Sequence, residues 1–137
     1  MCRPRYHAHP EVSPLFPFGH GLGYAAFNYS NLRLYSGRVE VDVSNAGAVS
    51  GSEVVQLYLT FPSSAGEPPR QLKGFVKVGP LRPGKGATVP FALGARSLSV
   101  WDSGDGAHAW AEVKGTFTVE VGASSADIRL AAAYVNE

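Results

Sequence analysis

Strict alternation of apolar and polar residues is the feature that most constrains the fold of this chain. Val39, Val41 and Val43 alternate with polar residues across 38–44, and side chains two positions apart lie on the same face of a β-strand. The segment 116–121 repeats the pattern. Because no segment combines an apolar period of 3.6 residues with helix caps, the sequence predicts half-buried strands and no domain-level helix.

Turn-forming residues divide the chain into short strands spaced roughly ten residues apart. The segment 53–61 has one apolar face and one only partly polar face, which predicts a central strand. Gly74 and Pro90 each interrupt a strand-like run, so we expect a bulge or an edge strand at both positions. The segment 116–132 predicts a terminal hairpin. Seven or eight such strands in 137 residues indicate an all-β sandwich, built as one domain.

The first 24 residues differ from the rest because four prolines prevent regular strand pairing while large apolar residues stand among glycines. We therefore expect residues 1–24 to form an extended Pro/Gly-rich arm and residues 25–137 to form the sandwich. An extended segment with this composition needs a surface to cover. The residues that would contact such a surface are Phe16, Phe18, His20, Leu22 and Tyr24.

Charge argues against two classes of partner. Twelve Lys and Arg face 11 Asp and Glu, a net charge of +1, and the basic residues are scattered singly, so we predict neither a nucleic-acid nor a membrane partner. No apolar run approaches the ~20 residues of a spanning helix. Arg3, Pro4 and Arg5 stand where a signal peptide would carry apolar residues, so we expect no signal peptide in this sequence, and the compartment stays open.

A metal site at the N-terminus is the weakest of the candidate sites. Cys2, His7, His9 and Glu11 carry side chains that bind transition metals. A structural zinc site, however, usually combines two closely spaced ligand pairs, and no second pair follows here. We interpret these residues as solvated and predict no metal and no cofactor.

Catalytic chemistry finds little support in the motifs. The Gly19-x-Gly21-x-Gly23 run lacks the strand before it and the helix after it that a dinucleotide fingerprint requires. No Gly-x-Ser-x-Gly elbow occurs, and nothing ties His108 to a nucleophile. Most carboxylates fall on strand faces expected to be exposed or in turns, so we predict no catalytic pair; they are Glu40, Asp42, Glu53, Asp102, Asp105, Glu112, Glu120 and Asp127.

Large aromatic residues are the remaining candidates for binding. Sugar-binding modules stack aromatic rings on pyranose faces, and Trp101, Trp110, Tyr58 and Tyr134 could serve in this way. Trp101 closes one predicted strand and Trp110 opens the next. We favour packing of both indoles in the core or at a seam between domains, because large aromatics at strand ends are usually buried.

Several blocks of the sequence together resemble a known domain family. They occur in family order and cover about residues 14–135: Pro14-Leu15-Phe16-Pro17-Phe18-Gly19-His20-Gly21-Leu22-Gly23-Tyr24, Val43-Ser44-Asn45-Ala46-Gly47, the segments 51–59, 70–78 and 81–84, Leu98-Ser99-Val100-Trp101-Asp102, and the segments 115–122 and 124–130. This set is similar to the C-terminal fibronectin type III-like domain of glycoside hydrolase family 3, the β-glucosidase and β-xylosidase family. Gly23, where that family commonly has Ser, and Pro90 depart from its pattern.

The resemblance implies an accessory role in carbohydrate metabolism. In that family the nucleophilic aspartate and the acid/base residue lie in preceding domains, so the resemblance carries no catalytic residue onto this chain. It implies that the segment 16–24 packs against those catalytic domains, in cis or in trans. Enzymes of that family are often secreted. An independent carbohydrate-binding or protein-binding module, using Trp101 and Trp110, stays open as the alternative, as does the status of the chain as a fragment, a truncated product or a separate module.

Overall fold

The computed structural model of this chain describes residues 14–68, 70–102 and 108–137, which form β-strands and two short 3₁₀ turns, Ser63–Ala65 and Ala95–Leu98. Nine strands lie within these ranges: β1 (Phe27–Tyr35), β2 (Arg38–Asn45), β3 (Gly51–Thr60), β4 (Gln71–Leu81), β5 (Gly86–Ala92), β6 (Ser99–Asp102), β7 (Ala109–Glu112), β8 (Gly115–Ser124) and β9 (Asp127–Asn136).

The strands form two packed antiparallel sheets and one separate ribbon. The three-stranded sheet has the order β1-β2-β5, and the four-stranded sheet has the order β4-β3-β8-β9. Contacts between β1 and β9 and between β4 and β5 close the two sides of the sandwich. Within the described ranges, strands β6 and β7 pair only with each other. The predicted all-β sandwich is confirmed, with seven strands in the two sheets and two in the ribbon.

The core lies between the two sheets and consists of the alternating residues that the sequence marked. Strand β2 illustrates the pattern, since Val39, Val41 and Val43 are fully buried while the intervening residues are not. Burying each such side chain stabilises the fold by about 1.5–3 kcal/mol. The other core side chains include Val55, Leu57, Leu59, Phe61, Val89, Phe91, Leu93, Phe117, Val119 and Val121.

Irregular residues occupy the positions that their chemistry requires. Pro90 lies on the edge strand β5, opposite Glu40, where a missing N–H breaks no ladder. Strand β4 is also an edge strand, and its pairing shifts so that Leu57 faces Gly74 and Tyr58 faces Leu72. Lys73 is therefore a bulge residue, and both expectations drawn from Gly74 and Pro90 are confirmed. Strand β3 is central, and β8 and β9 form the predicted hairpin.

Candidate functional site

Residues 14–24 are the part of the predicted arm that the structure describes, and they are attached through their backbone to the outer face of the four-stranded sheet. The carbonyl oxygen of Phe18 accepts a hydrogen bond from the Ser125 N–H at 2.9 Å. The carbonyl oxygen of Gly19 accepts one from Gln56 Nε2 at 3.1 Å. In both bonds the arm contributes a main-chain carbonyl oxygen, so the side chains of the arm are not needed to make them.

Gly19 is required at the attachment point for two reasons. Its φ is +79°, in the left-handed region that favours glycine. A Cβ at this position would also collide with the side-chain amide of Gln56. That amide cannot swing away freely, because Gln56 Nε2 also donates to Ala123 O at 2.6 Å and Gln56 Oε1 accepts from Tyr58 Oη at 2.5 Å.

Gln56 and Tyr58 belong to the functional site, although the sequence did not single out Gln56. Strand alternation places both side chains on the outer face of β3, which the sequence described as only partly polar. They are nevertheless only 4% and 2% exposed. The available signal that another segment covers this strand was the composition of that face, where Gln56 stands between Val54 and Tyr58.

The arm exposes its large apolar side chains to solvent. Leu22 and Tyr24 are more than nine-tenths exposed, and Phe16 and Phe18 are about three-fifths exposed. The His20 ring stacks on Phe16 with a centroid separation of 5.3 Å. All five residues proposed from the sequence therefore lie together on one described segment, and their contact with another domain stays a prediction.

A shallow cleft of about 760 Å³ lies between the arm and the four-stranded sheet. Phe75 from β4 is 68% exposed and forms part of its wall. Charged groups also line it: Arg129 holds both oxygens of Asp127, at 2.5 and 2.7 Å, and lowers the pKa of that carboxyl. Burial raises the pKa of Glu53. The cleft is therefore apolar at the arm and charged at the β9 end.

Trp101 and Trp110 face each other across the β6–β7 ribbon. Their rings meet edge to face at 5.4 Å, and the two residues are 50% and 44% exposed. Of the two options that the sequence left, core or seam, the core is excluded, because both rings are about half exposed on a ribbon that stands outside the two sheets. A sugar or a domain seam as their contact stays a prediction.

The described carboxylates are held mainly by structural ion pairs. Asp42 accepts hydrogen bonds from Arg33, Thr88 and Asn31, which lower its pKa, the Arg33 bond most strongly. Glu120 is only 8% exposed, contrary to the expectation of an exposed strand face. Arg70 explains its burial, since the Arg70 guanidinium binds both Glu120 oxygens and is held in place by a hydrogen bond from Arg70 Nη1 to Ser125 O.

Two features are absent from residues 14–68, 70–102 and 108–137. No group of three or more His, Cys, Asp or Glu side chains there could hold a metal ion. No helix in those ranges has the length and hydropathy to cross a membrane. The N-terminal candidates Cys2, His7, His9 and Glu11, and also Asp105, lie outside the described residues.

Comparisons with known proteins converge on one group. The family described as Fibronectin type III-like domain matches residues 53–125. Similar curated proteins include "Probable beta-glucosidase L" of Aspergillus terreus, 44% identical over 88% of this chain, and "Beta-glucosidase cel3A" of Pyricularia oryzae, 41% identical over 88%. The chain spans 19% and 17% of the length of these two relatives.

Solved structures show the same similarity. The β-glucosidase D2-BGL of Chaetomella raphigera matches 97% of this chain with a TM-score of 0.89 and 36% identity, over 22% of its own length. The GH3 β-glucosidase of Bifidobacterium adolescentis matches 96% with a TM-score of 0.86 and 33% identity, over 20% of its own length.

Proposed function

Because this chain belongs to the fibronectin type III-like domain family, in the form found in family 3 β-glucosidases, we propose that it is a non-catalytic accessory domain. Its role is to pack against the catalytic domains of such an enzyme. The matched relatives are about five times longer than the region they share with this chain. The division into an arm at 1–24 and a sandwich at 25–137 is part of this proposal.

The single observation that carries the proposal is that the arm is attached to the sandwich by its backbone and exposes its apolar side chains. Its backbone is bonded to its own sandwich at Phe18 and Gly19, whereas Leu22 and Tyr24 expose almost their whole side chains to solvent. Exposed apolar patches of this kind usually mark a binding surface. With Phe75 of β4, these side chains form the docking surface that we assign to the catalytic domains.

A chimeric enzyme tests this docking surface. The corresponding domain of the Chaetomella raphigera enzyme would be replaced by this chain, and thermal unfolding and hydrolysis of an aryl β-glucoside would be measured. Leu22→Ser and Tyr24→Ser together should lower the unfolding midpoint of the chimera, because truncating a central interface residue typically costs more than about 1 kcal/mol. The isolated chain should unfold as before.

Tyr35→Ser is the matched control, since Tyr35 is also an exposed tyrosine but lies on β1 of the other sheet. It should leave the chimera unchanged. An equal midpoint for all variants would refute the docking surface. Hydrolysis by the isolated chain that disappears when a carboxylate is replaced would refute the non-catalytic role.

A further inference from the structure

Three separate elements bring their side chains to a second cleft, beside the β6–β7 ribbon. The bulge in β4 supplies Lys73, the 3₁₀ turn supplies Arg96, and the ribbon supplies Trp101 and Trp110. Bulges commonly redirect a side chain toward a functional site. The cleft measures about 440 Å³, within the range of roughly 300–1,000 Å³ that is typical of small-molecule sites.

Positive charge is concentrated in this cleft. Lys73 Nζ lies 4.7 Å from the Phe61 ring centroid and donates to Gln71 Oε1 at 3.1 Å. Burial lowers the pKa of Lys73, and the nearby Arg96 guanidinium lowers it further, partly offset by Glu67. Glu67 accepts a hydrogen bond from Gln71 Nε2 at 2.6 Å. Among the described residues that line the cleft, two cations therefore face one carboxylate, and an added anion would be attracted to them.

The aromatic part of the cleft is already ordered. The Arg96 guanidinium stacks over the Trp110 ring at 3.3 Å from its centroid, and Trp101 meets Trp110 edge to face. Stacking fixes the plane of the guanidinium while leaving its edge N–H groups able to donate, which suits two parallel hydrogen bonds to a carboxylate. Trp101 is half exposed and offers an apolar surface next to this donor.

We propose that this cleft binds an acidic sugar, a pyranose ring bearing a carboxylate as in uronic acid units of a polysaccharide. The ring lies against Trp101, and the carboxylate is bound by Lys73 and Arg96. A neutral sugar would leave the two cations without an added counter-charge. The site is distinct from the docking surface, because the two clefts share only Leu72.

Intrinsic fluorescence measures binding at this site directly, because Trp101 and Trp110 are the only two tryptophans of the chain. The full chain would be titrated with a xylo-oligosaccharide carrying glucuronic acid and with the same oligosaccharide lacking it. The acidic ligand should give a saturable change and bind at least about tenfold more tightly. Lys73→Gln and Arg96→Gln should each weaken that binding about tenfold, the effect of losing one charged hydrogen bond.

Lys77→Gln is the matched control, since Lys77 is an exposed lysine of the same strand that lines neither cleft. It should bind the acidic ligand as the unaltered chain does. Equal affinity for both oligosaccharides, no saturable change, or an equal loss in Lys77→Gln would each overturn the proposal. The titration uses this chain alone and probes a cleft that shares only Leu72 with the docking surface. A negative result in this titration therefore leaves the docking proposal unaffected.

Discussion

At the scale of single residues, the outer face of the four-stranded sheet is stabilised by polar side chains that bond one another. Glu120 accepts from Arg70 Nε at 2.8 Å and from Thr60 Oγ1 at 3.1 Å. The Arg70 hydrogen bond is the main cause that lowers the Glu120 pKa below its usual 4.5, against the opposing effect of burial. The ionised form of Glu120 is thus the form that the fold favours.

This arrangement predicts an acid-dependent loss of stability. A carboxyl group whose pKa is lowered by folding stabilises the protein above its unfolded pKa, and that contribution disappears as pH falls through the folded pKa. Glu120→Gln should therefore lower the free energy of unfolding at pH 6 by about 1–2 kcal/mol and flatten its decline below pH 5. Urea denaturation at several pH values measures both effects. Arg70→Gln should remove the same coupling in a double-mutant cycle, and an unchanged slope in either variant would contradict this assignment.

At the scale of elements, the arm depends on a glycine at one position and tolerates a side chain two residues later. Gly19→Ala places a Cβ against the held amide of Gln56 and adds a positive-φ penalty, together about 1–3 kcal/mol. The arm should then detach and be cleaved faster within 14–24 in limited proteolysis. Gly21→Ala is the control, because no atom lies within 4 Å of a Cβ there. Equal cleavage rates for the two variants would contradict the anchor.

The sequence predicted elements well where one face meets the core and poorly where a second layer covers the other face. Alternation located β2, β3 and the β8–β9 hairpin, and the interruptions at Gly74 and Pro90 located the bulged edge strand β4 and the edge strand β5. Burial of Gln56 and Glu120 was not predicted, since it depends on the arm and on Arg70, which are distant in sequence. The position of Trp101 and Trp110 outside the core depends on β6 pairing only with β7, which alternation does not encode.

At the scale of the whole molecule, one core joins the two sheets, so the sandwich should unfold as a unit. Phe117 is fully buried and meets Phe61 edge to face at 5.0 Å. Phe117→Ala should cost about 3–5 kcal/mol while keeping a single transition. Phe75→Ala removes the same ring from an exposed position and should change stability by less than about 0.5 kcal/mol. Denaturant unfolding of both variants is followed by far-UV and near-UV circular dichroism. A separate unfolding transition for either sheet would contradict the shared core.

The attachment of the arm through main-chain carbonyl groups separates how the arm is held from what it recognises. Apart from Gly19, the exposed residues of the arm could be exchanged without disturbing the bonds at Phe18 O and Gly19 O. Substitutions at a few exposed positions of the arm could thus change which neighbouring domain the sandwich binds. The same sandwich could then serve as a connecting domain between enzyme modules of different origin.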